Sequence, residues 1–372
     1  MALLYLDYNA STPIDPDAAA TMRPLLTDGY GNPSSGHWAA APAAAALQTA
    51  RSQVAEYFGC APDEIAFTSG GSEANNLALK GTCRVPNDRP THIVTSAIEH
   101  PAILEPCRHL AKLGVMVTVV PVDGSGLVDP DVVRQAITRD TRLISVMHAN
   151  NETGTIQPVA EIAAIAHAHG IPFHTDAAQS VGKIATHVDE LGADMLSVAG
   201  HKVYAPKGIG ALYVRRGVEL EPLIHGAEHE SGRRAGTESA LLAAGLGKAC
   251  EVAKRWVGMA AIQTLRDRLW DRLQADFGNQ VVLNGHLTRR LPNTLNVSFV
   301  GRVGADILAA MPDVAASTGS ACHAGRVTLS PVLQAMKVTP NVAMGAIRFS
   351  LGRYTTEDEV DDLVGQLRRT LA

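Results

Sequence analysis

From residue 64 to residue 198 the chain repeats one pattern: a short apolar run closed by polar residues, then a stretch with helical spacing. Residues 64–68, 92–96, 115–120, 143–147, 172–176 and 195–198 read as strands, while 129–137 and 159–169 carry apolar residues at the period of a helix. Such β/α alternation predicts a largely parallel sheet with helices on both faces. Other elements follow from punctuation. Residues 3–6 form a short strand, 7–13 a polar turn, 29–36 a glycine-rich loop, and 39–58 an alanine-rich helix with Pro42 near its start. After Thr237 the pattern becomes one long helical region, about 239–277. A second unit follows, with strands at 294–299 and 346–351, a loop of small residues at 317–325, and a closing helix at 357–371 capped by Thr356.

Ligands of parallel sheets bind beyond the carboxyl ends of the strands. That rule collects Ser72, Glu99, His100, residues 148–152, residues 176–179, His201 and Lys202. Residues 197–202 run from an apolar segment straight into Gly200-His201-Lys202. A lysine there is desolvated, which disfavours its charge and suits an amine nucleophile. Taken alone, the stretch favours a strand-end lysine whose ammonium reaches water. Residues 64–79 read as strand, Gly70-Gly71 turn and helix, with Ser72 as the helix cap. Unpaired N–H groups at the positive end of a helix dipole suit a phosphate. The spacing fits neither GxGxxG nor GxxxxGK[ST], so neither a dinucleotide nor a nucleoside triphosphate is indicated.

Composition narrows the classes. With 372 residues, 46% of them hydrophobic, the chain can bury two cores. Its net charge of -5 offers no basic field for direct contact with nucleic acid. The five cysteines (Cys60, Cys83, Cys107, Cys250, Cys322) contain no CxxC pair, which argues against a disulfide framework and a structural zinc site and predicts a reducing cytoplasm. The N-terminal residues lack a signal-peptide pattern, and no run reaches the roughly 18 apolar residues of a membrane span.

A phosphate turn, an aspartate and a lysine in this order are the parts that hold pyridoxal 5'-phosphate: Gly70-Gly71-Ser72 for the phosphate, Asp176 for the pyridine nitrogen, Lys202 for a Schiff base. Singly, Asp176 reads as a helix cap and His100 as a capping or core histidine. Together with Asp7-Tyr8-Asn9-Ala10-Ser11-Thr12-Pro13, Gly31-Asn32-Pro33-Ser34-Ser35, Glu73-Ala74-Asn75, His148-Ala149-Asn150-Asn151-Glu152-Thr153-Gly154, Ala177-Ala178-Gln179-Ser180, Arg234-Ala235-Gly236-Thr237 and Ser320-Ala321-Cys322, they make a chain that resembles the cysteine desulfurases of the NifS/IscS type over nearly its whole length.

The resemblance implies an α/β protein of the PLP-dependent transferase fold type I. Its large domain, 15–255, would hold a mainly parallel seven-stranded sheet between helices. A smaller α+β domain, 1–14 and 256–372, would carry the Cys322 loop. It implies a homodimer that takes sulfur from L-cysteine, leaving L-alanine and a persulfide on Cys322 for a sulfur-acceptor protein. Lys202 becomes the cofactor lysine, Asp176 the pyridinium partner and His100 the ring stacked on the cofactor. Asn151 and Gln179 match ligands of the phenolic oxygen. Gly71, Ser72 and His201 match phosphate ligands, and Thr237 one that reaches the phosphate of the other subunit. Arg348 matches the arginine for the substrate carboxylate, assisted by Asn32, and Cys322 the nucleophile, with His323 and Arg326 as neighbours that could raise its thiolate fraction.

Three departures from the family pattern stand out. Ala199 replaces a serine whose hydroxyl contacts phosphate. Ala227 and Glu228 replace glycines, which disfavours positive φ in the loop leading to Thr237. His323-Ala324-Gly325 replaces a Thr-Ser seen in some members. His225 and His229 stand four apart, but Gly226 argues against a helical zinc pair. The sequence leaves open a selenocysteine lyase and a catalytically idle sulfur-carrier or scaffold protein. It also leaves open which pathway receives the sulfur: iron–sulfur assembly, tRNA thiolation or DNA phosphorothioation.

Overall fold

The computed structural model describes residues 3–83, 90–318 and 329–371, and the backbone of two short strands at Cys322–His323 and Arg326–Val327. Seven strands form the central sheet: β1 (Ile65–Thr68), β2 (His92–Ser96), β3 (Met116–Val120), β4 (Thr141–Ser145), β5 (Phe173–Asp176), β6 (Met195–Ala199) and β7 (Gly210–Val214). Their order is β1-β7-β6-β5-β4-β2-β3. Only β7 pairs antiparallel with its neighbours, so all other strands run together and their carboxyl ends share one edge. The alternation in the sequence therefore yields the expected sheet. β7 escaped the apolar pattern because it follows a Pro-Lys-Gly turn and reads as part of it.

Helices cover both faces. α1 (Ala41–Phe58) tolerates Pro42 in its first turn, where no N–H is needed, and ends at Gly59 with φ 70, whose N–H bonds Ala55 O. α2 (Gly71–Cys83), α3 (Pro101–Lys112) and α4 (Val159–Ala168) each begin at the carboxyl-end edge of the sheet or the loops leaving it. Ser72 lies inside the first turn of α2 rather than at its cap, because the helix already starts at Gly71. The region expected as one helix over 239–277 is two, α5 (Ala240–Ala253) and α6 (Ala260–Phe277). Gly258 with φ 86 and Met259 with φ 39 turn the chain between them, a left-handed step that no continuous helix accommodates.

A second core gathers around a four-stranded antiparallel sheet of β8 (Val281–Asn284), β9 (Thr294–Phe299), β10 (Ser317–Thr318) and β11 (Ala346–Ser350), in the order β10-β11-β9-β8. Leu265, Leu269 and Leu273 of α6 and Val360, Leu363 and Leu367 of α7 (Glu357–Leu371) pack on it, joined by Leu4 and Leu6 from the N-terminus. α7 carries a capping box: Thr356 Oγ1 accepts from Glu359 N at 3.3 Å while Glu359 Oε2 accepts from Thr356 N at 2.8 Å. The helix of residues Pro331–Ala335 instead sends Val332 and Leu333 into the core of the large sheet.

The N-terminal turn threads between the two cores. Asn9 N donates to Ser350 Oγ at 3.0 Å on one side. Thr12 N donates to His201 O at 2.9 Å on the other, and Thr12 Oγ1 accepts from Tyr204 N at 2.9 Å. Tyr204 has φ 64, and that left-handed backbone is held by this bond and by the Arg353 guanidinium stacked 4.0 Å from its ring.

Candidate active site

A cavity of about 340 Å³ opens at the carboxyl-end edge, lined by Asn9, Gly71, Ser72, Asn75, His100, Asn151, Asp176, Gln179, Ala199, His201, Lys202 and Arg348. Each strand delivers its residues by ending there. β5 ends at Asp176, β6 ends at Ala199 just before the 3-10 turn Gly200–Lys202, and β1 is followed by the Gly70-Gly71 turn that starts α2.

Burial drives the Lys202 ammonium below the usual lysine range, with Asp176 pulling the other way and Arg348 adding to the fall. Among the described residues Lys202 has no hydrogen-bond partner. Asp176, 6% exposed, accepts from Asn75 Nδ2 at 2.7 Å on Oδ2 and from Ala178 N at 2.9 Å on Oδ1. His100 caps α3, its Nδ1 accepting from Ala102 N at 3.1 Å, so the proton of its neutral ring sits on Nε2. Burial first, then the Lys202 charge, depresses the pKa of His100, and Asp176 opposes them. His100 thus caps α3 and also lines the cavity.

The end of the cavity at Gly71 and Ser72 suits an anion. α2 starts there at Gly71, after Gly70, which carries no side chain to cap it, and an uncapped first turn leaves N–H groups for an anion. A Cβ at Gly71 would stand 3.1 Å from Ala199 Cβ, which leaves that wall lean. His201 lines the same wall, its pKa lowered by burial and then by Lys202 and Lys207.

At the opposite side Arg348, on β11, brings a guanidinium from the small sheet. Its Nη2 donates to Asp7 Oδ1 at 2.7 Å and its Nη1 to Asn151 O at 2.8 Å, while its buried Nε has no partner among the described residues. Glu152 beside it is protonated more readily than an ordinary carboxylate because it is buried, and Ser330 Oγ donates to its Oε2 at 2.5 Å.

Two expected residues stand apart from this cavity. Asn32 is exposed and accepts from Ser34 N at 3.0 Å, outside the cavity lining. Thr237 is exposed and lines a separate cavity with Ser69, Glu230 and Arg234. The Cys322, His323 and Arg326 side chains lie outside the described residues; their backbones pair as short antiparallel strands, Cys322 opposite Val327. Cys60, Cys83, Cys107 and Cys250 are free thiols, each pushed up to about 12, chiefly by burial, and none lines the cavity. In the loop before Thr237 the left-handed backbone falls at Glu230 (φ 50) and Ser231 (φ 57), and neither Ala227 nor Glu228 adopts positive φ. Among the described residues no group of His, Cys, Asp and Glu could hold a metal.

Reasoning from sequence gave no role to Asp7, Asn9, Asn75 or Lys183, all of which support the cavity. Lys183 stands four residues after Gln179, a spacing that puts the two side chains on one side of a helical turn. That spacing was a readable signal.

Four likenesses to known proteins bear on this cavity. The family description "Aminotransferase class-V" matches residues 4–363. A cysteine desulfurase IscS of Dictyoglomus turgidum is 45% identical over 372 residues, covering 99% of this chain and 94% of that protein. Among solved structures, a NifS-like protein superposes with a TM-score of 0.92 at 36% identity over 99% of both chains. SspA in complex with cysteine superposes with a TM-score of 0.85 at 39% identity over 95% of this chain and 100% of that one.

Proposed function

The chain belongs to the aminotransferase class-V family, and from that membership we propose that it is a cysteine desulfurase converting L-cysteine and the Cys322 thiol into L-alanine and a Cys322 persulfide. The observation that carries the reading is one cavity holding a desolvated, unpartnered lysine (Lys202), a buried carboxylate (Asp176) and an arginine (Arg348). Members of this family depend on pyridoxal phosphate, and the donor set fits it. An open helix start with Ser72 and His201 suits the phosphate, Asp176 a pyridinium, and Lys202 an aldehyde. When bound, that cofactor supplies an aldehyde for amines and an electron-poor ring that stabilises negative charge at a neighbouring carbon.

The chain's residues do the rest. Arg348 takes the substrate carboxylate, its fork already oriented by Asp7 and Asn151. Lys202, poised toward its neutral form by burial, accepts the proton from the substrate Cα and returns it elsewhere. Asn75 fixes the Asp176 carboxylate that would pair with the pyridinium, and His100, which lines the cavity, keeps its proton on Nε2. The substrate C–S bond breaks as the Cys322 sulfur bonds to the substrate sulfur; the carbon keeps the electron pair and takes a proton to become alanine. The four described cysteines support Cys322 by elimination, since burial holds their thiols protonated and away from the cavity.

Two domains, 15–255 and 1–14 with 256–372, belong to the same reading, as do a cytoplasmic setting, a sulfur-acceptor protein and a homodimer. The two cores support the division, although Val332 and Leu333 pack across it. The strongly exposed Trp38 (80%) and Tyr30 (72%) support a covered subunit face. Thr237 lines a cavity other than that of its own Lys202, which supports a role toward a partner's phosphate. Among the described residues no helix is long and apolar enough to cross a membrane.

The test is alanine and sulfide formation from L-cysteine by the protein loaded with pyridoxal phosphate. Lys202→Ala is to lose the borohydride-sensitive visible band and all turnover, and Cys322→Ala is to keep the band and lose sulfide release. Sulfide release that survives in Cys322→Ala sinks the nucleophile assignment.

A further inference from the structure

Lys183 is fully buried and faces no carboxylate. Its Nζ donates to Asn9 Oδ1 at 2.9 Å and to Gln179 Oε1 at 3.0 Å. The charged groups it faces, Lys202 and Arg348, are both positive, and together with burial they drive its pKa well below the usual lysine value. A lysine is rarely buried without an acidic partner, and an apolar side chain of similar length fills such a space at lower cost.

What the lysine adds is control over an amide. The oxygen and nitrogen ends of Gln179 have nearly the same shape, and either can turn toward a neighbour. In both contacts Lys183 Nζ is the donor, so it takes the Oε1 end. Gln179 Nε2 then donates one hydrogen to Asn9 O at 3.0 Å, and its second hydrogen is left for the Lys202 cavity, which Gln179 lines. Asn9 is tied down in turn. Its Oδ1 also accepts from Asn293 Nδ2 at 3.0 Å, and its Nδ2 donates to Thr294 Oγ1 at 2.8 Å. We propose that Lys183 is a positioning residue that locks the Gln179 amide with its N–H toward the cavity, as donor to the phenolic oxygen of the bound cofactor. This rests on the cofactor reading given above.

A fixed donor stabilises the deprotonated phenolic oxygen, so its loss moves the pH midpoint of the cofactor's visible-band change upward. The test is a spectral titration of the holoenzyme in four forms: wild type, Lys183→Met, Gln179→Ala and the double variant. Lys183→Met is expected to raise the midpoint by about one pH unit, a tenfold change in the proton equilibrium. Gln179→Ala is expected to raise it similarly, and the double variant no further than Gln179→Ala alone. An unshifted Lys183→Met midpoint overturns the proposal. So do additive shifts, which mean that the lysine charge acts through space and not through Gln179. If Lys183→Met does not fold, Lys183→Gln carries the comparison, since its amide can meet Gln179 with either end. An upward shift supports the proposal, and an unchanged midpoint overturns it. A wild-type protein that develops no visible band with added pyridoxal phosphate overturns the cofactor reading itself; a normal wild-type band with an unshifted variant overturns only this inference.

Discussion

Asp7 and Arg348 form an ion pair of 2.7 Å although 341 positions separate them, Asp7 on the N-terminal turn and Arg348 on β11. The pair orients the guanidinium before any substrate arrives, and Asn151 O holds the second nitrogen. A lysine is a point donor and cannot serve Asp7, Asn151 and a carboxylate at once. Arg348→Lys is therefore expected to raise the KM for L-cysteine tenfold or more with a smaller change in kcat, measured as alanine formed. An unchanged KM would mean that the carboxylate binds elsewhere.

Asn75 contributes the 2.7 Å hydrogen bond to Asp176 Oδ2. A buried bond to a charged acceptor is worth about 1.5–3 kcal/mol, so Asn75→Ala is expected to weaken cofactor binding by about 10- to 100-fold. Fluorescence titration of dialysed protein with pyridoxal phosphate reads this directly, and affinity equal to wild type removes Asn75 from the cofactor site.

Glu99 gives a pH-dependent stability. Its pKa is raised to about 8 by burial, with Asp176 adding to the rise; Ser96 Oγ and Met147 N bond to Oε1, and Oε2 is buried without a partner among the described residues. A raised folded pKa contributes stability that is complete below the unfolded value near 4.5 and lost as pH rises through 8. Glu99→Gln is neutral throughout. Between pH 5 and pH 9 the stability difference is expected to move in favour of the variant by roughly 1–3 kcal/mol, read from urea unfolding at the two pH values. A difference that does not change with pH would show that Glu99 titrates normally.

Arg51 and Glu230 form a bidentate pair, both contacts at 2.7 Å, and Glu230 Oε2 also accepts from Phe67 N at 2.9 Å. The Glu230 side chain is 1% exposed, so Arg51→Ala leaves a buried charge without its partner. A loss of about 3–5 kcal/mol is expected in urea unfolding, partly restored by adding Glu230→Gln. If the double variant is no better than Arg51→Ala, lost arginine packing rather than the stranded charge is responsible.

Much of the site was legible because it is written where strands stop. Asp176, Lys202 and Gly71-Ser72 each follow an apolar run within a few residues, and a parallel sheet brings such ends together without further instruction. β7 was hidden by its turn-like approach, and the break between α5 and α6 by an unbroken run of good helix formers on either side of Gly258. His100 illustrates the overlap of readings: one ring nitrogen caps α3 while the ring lines the cavity.

The sequence by itself determined the sheet, the order of its strand ends, the cofactor-type chemistry and the family resemblance, since all of these are local or ordered along the chain. The tertiary structure decided the rest. It brought Asp7 to Arg348, Asn75 to Asp176, and Lys183 to Gln179 and Asn9, and it left Asn32 outside the cavity that it was expected to join. These facts depend on which side of a turn a side chain leaves and on which buried donors remain unpaired. Hydrogen-bond satisfaction is settled across the whole fold once water has been excluded, and linear spacing carries only part of that information.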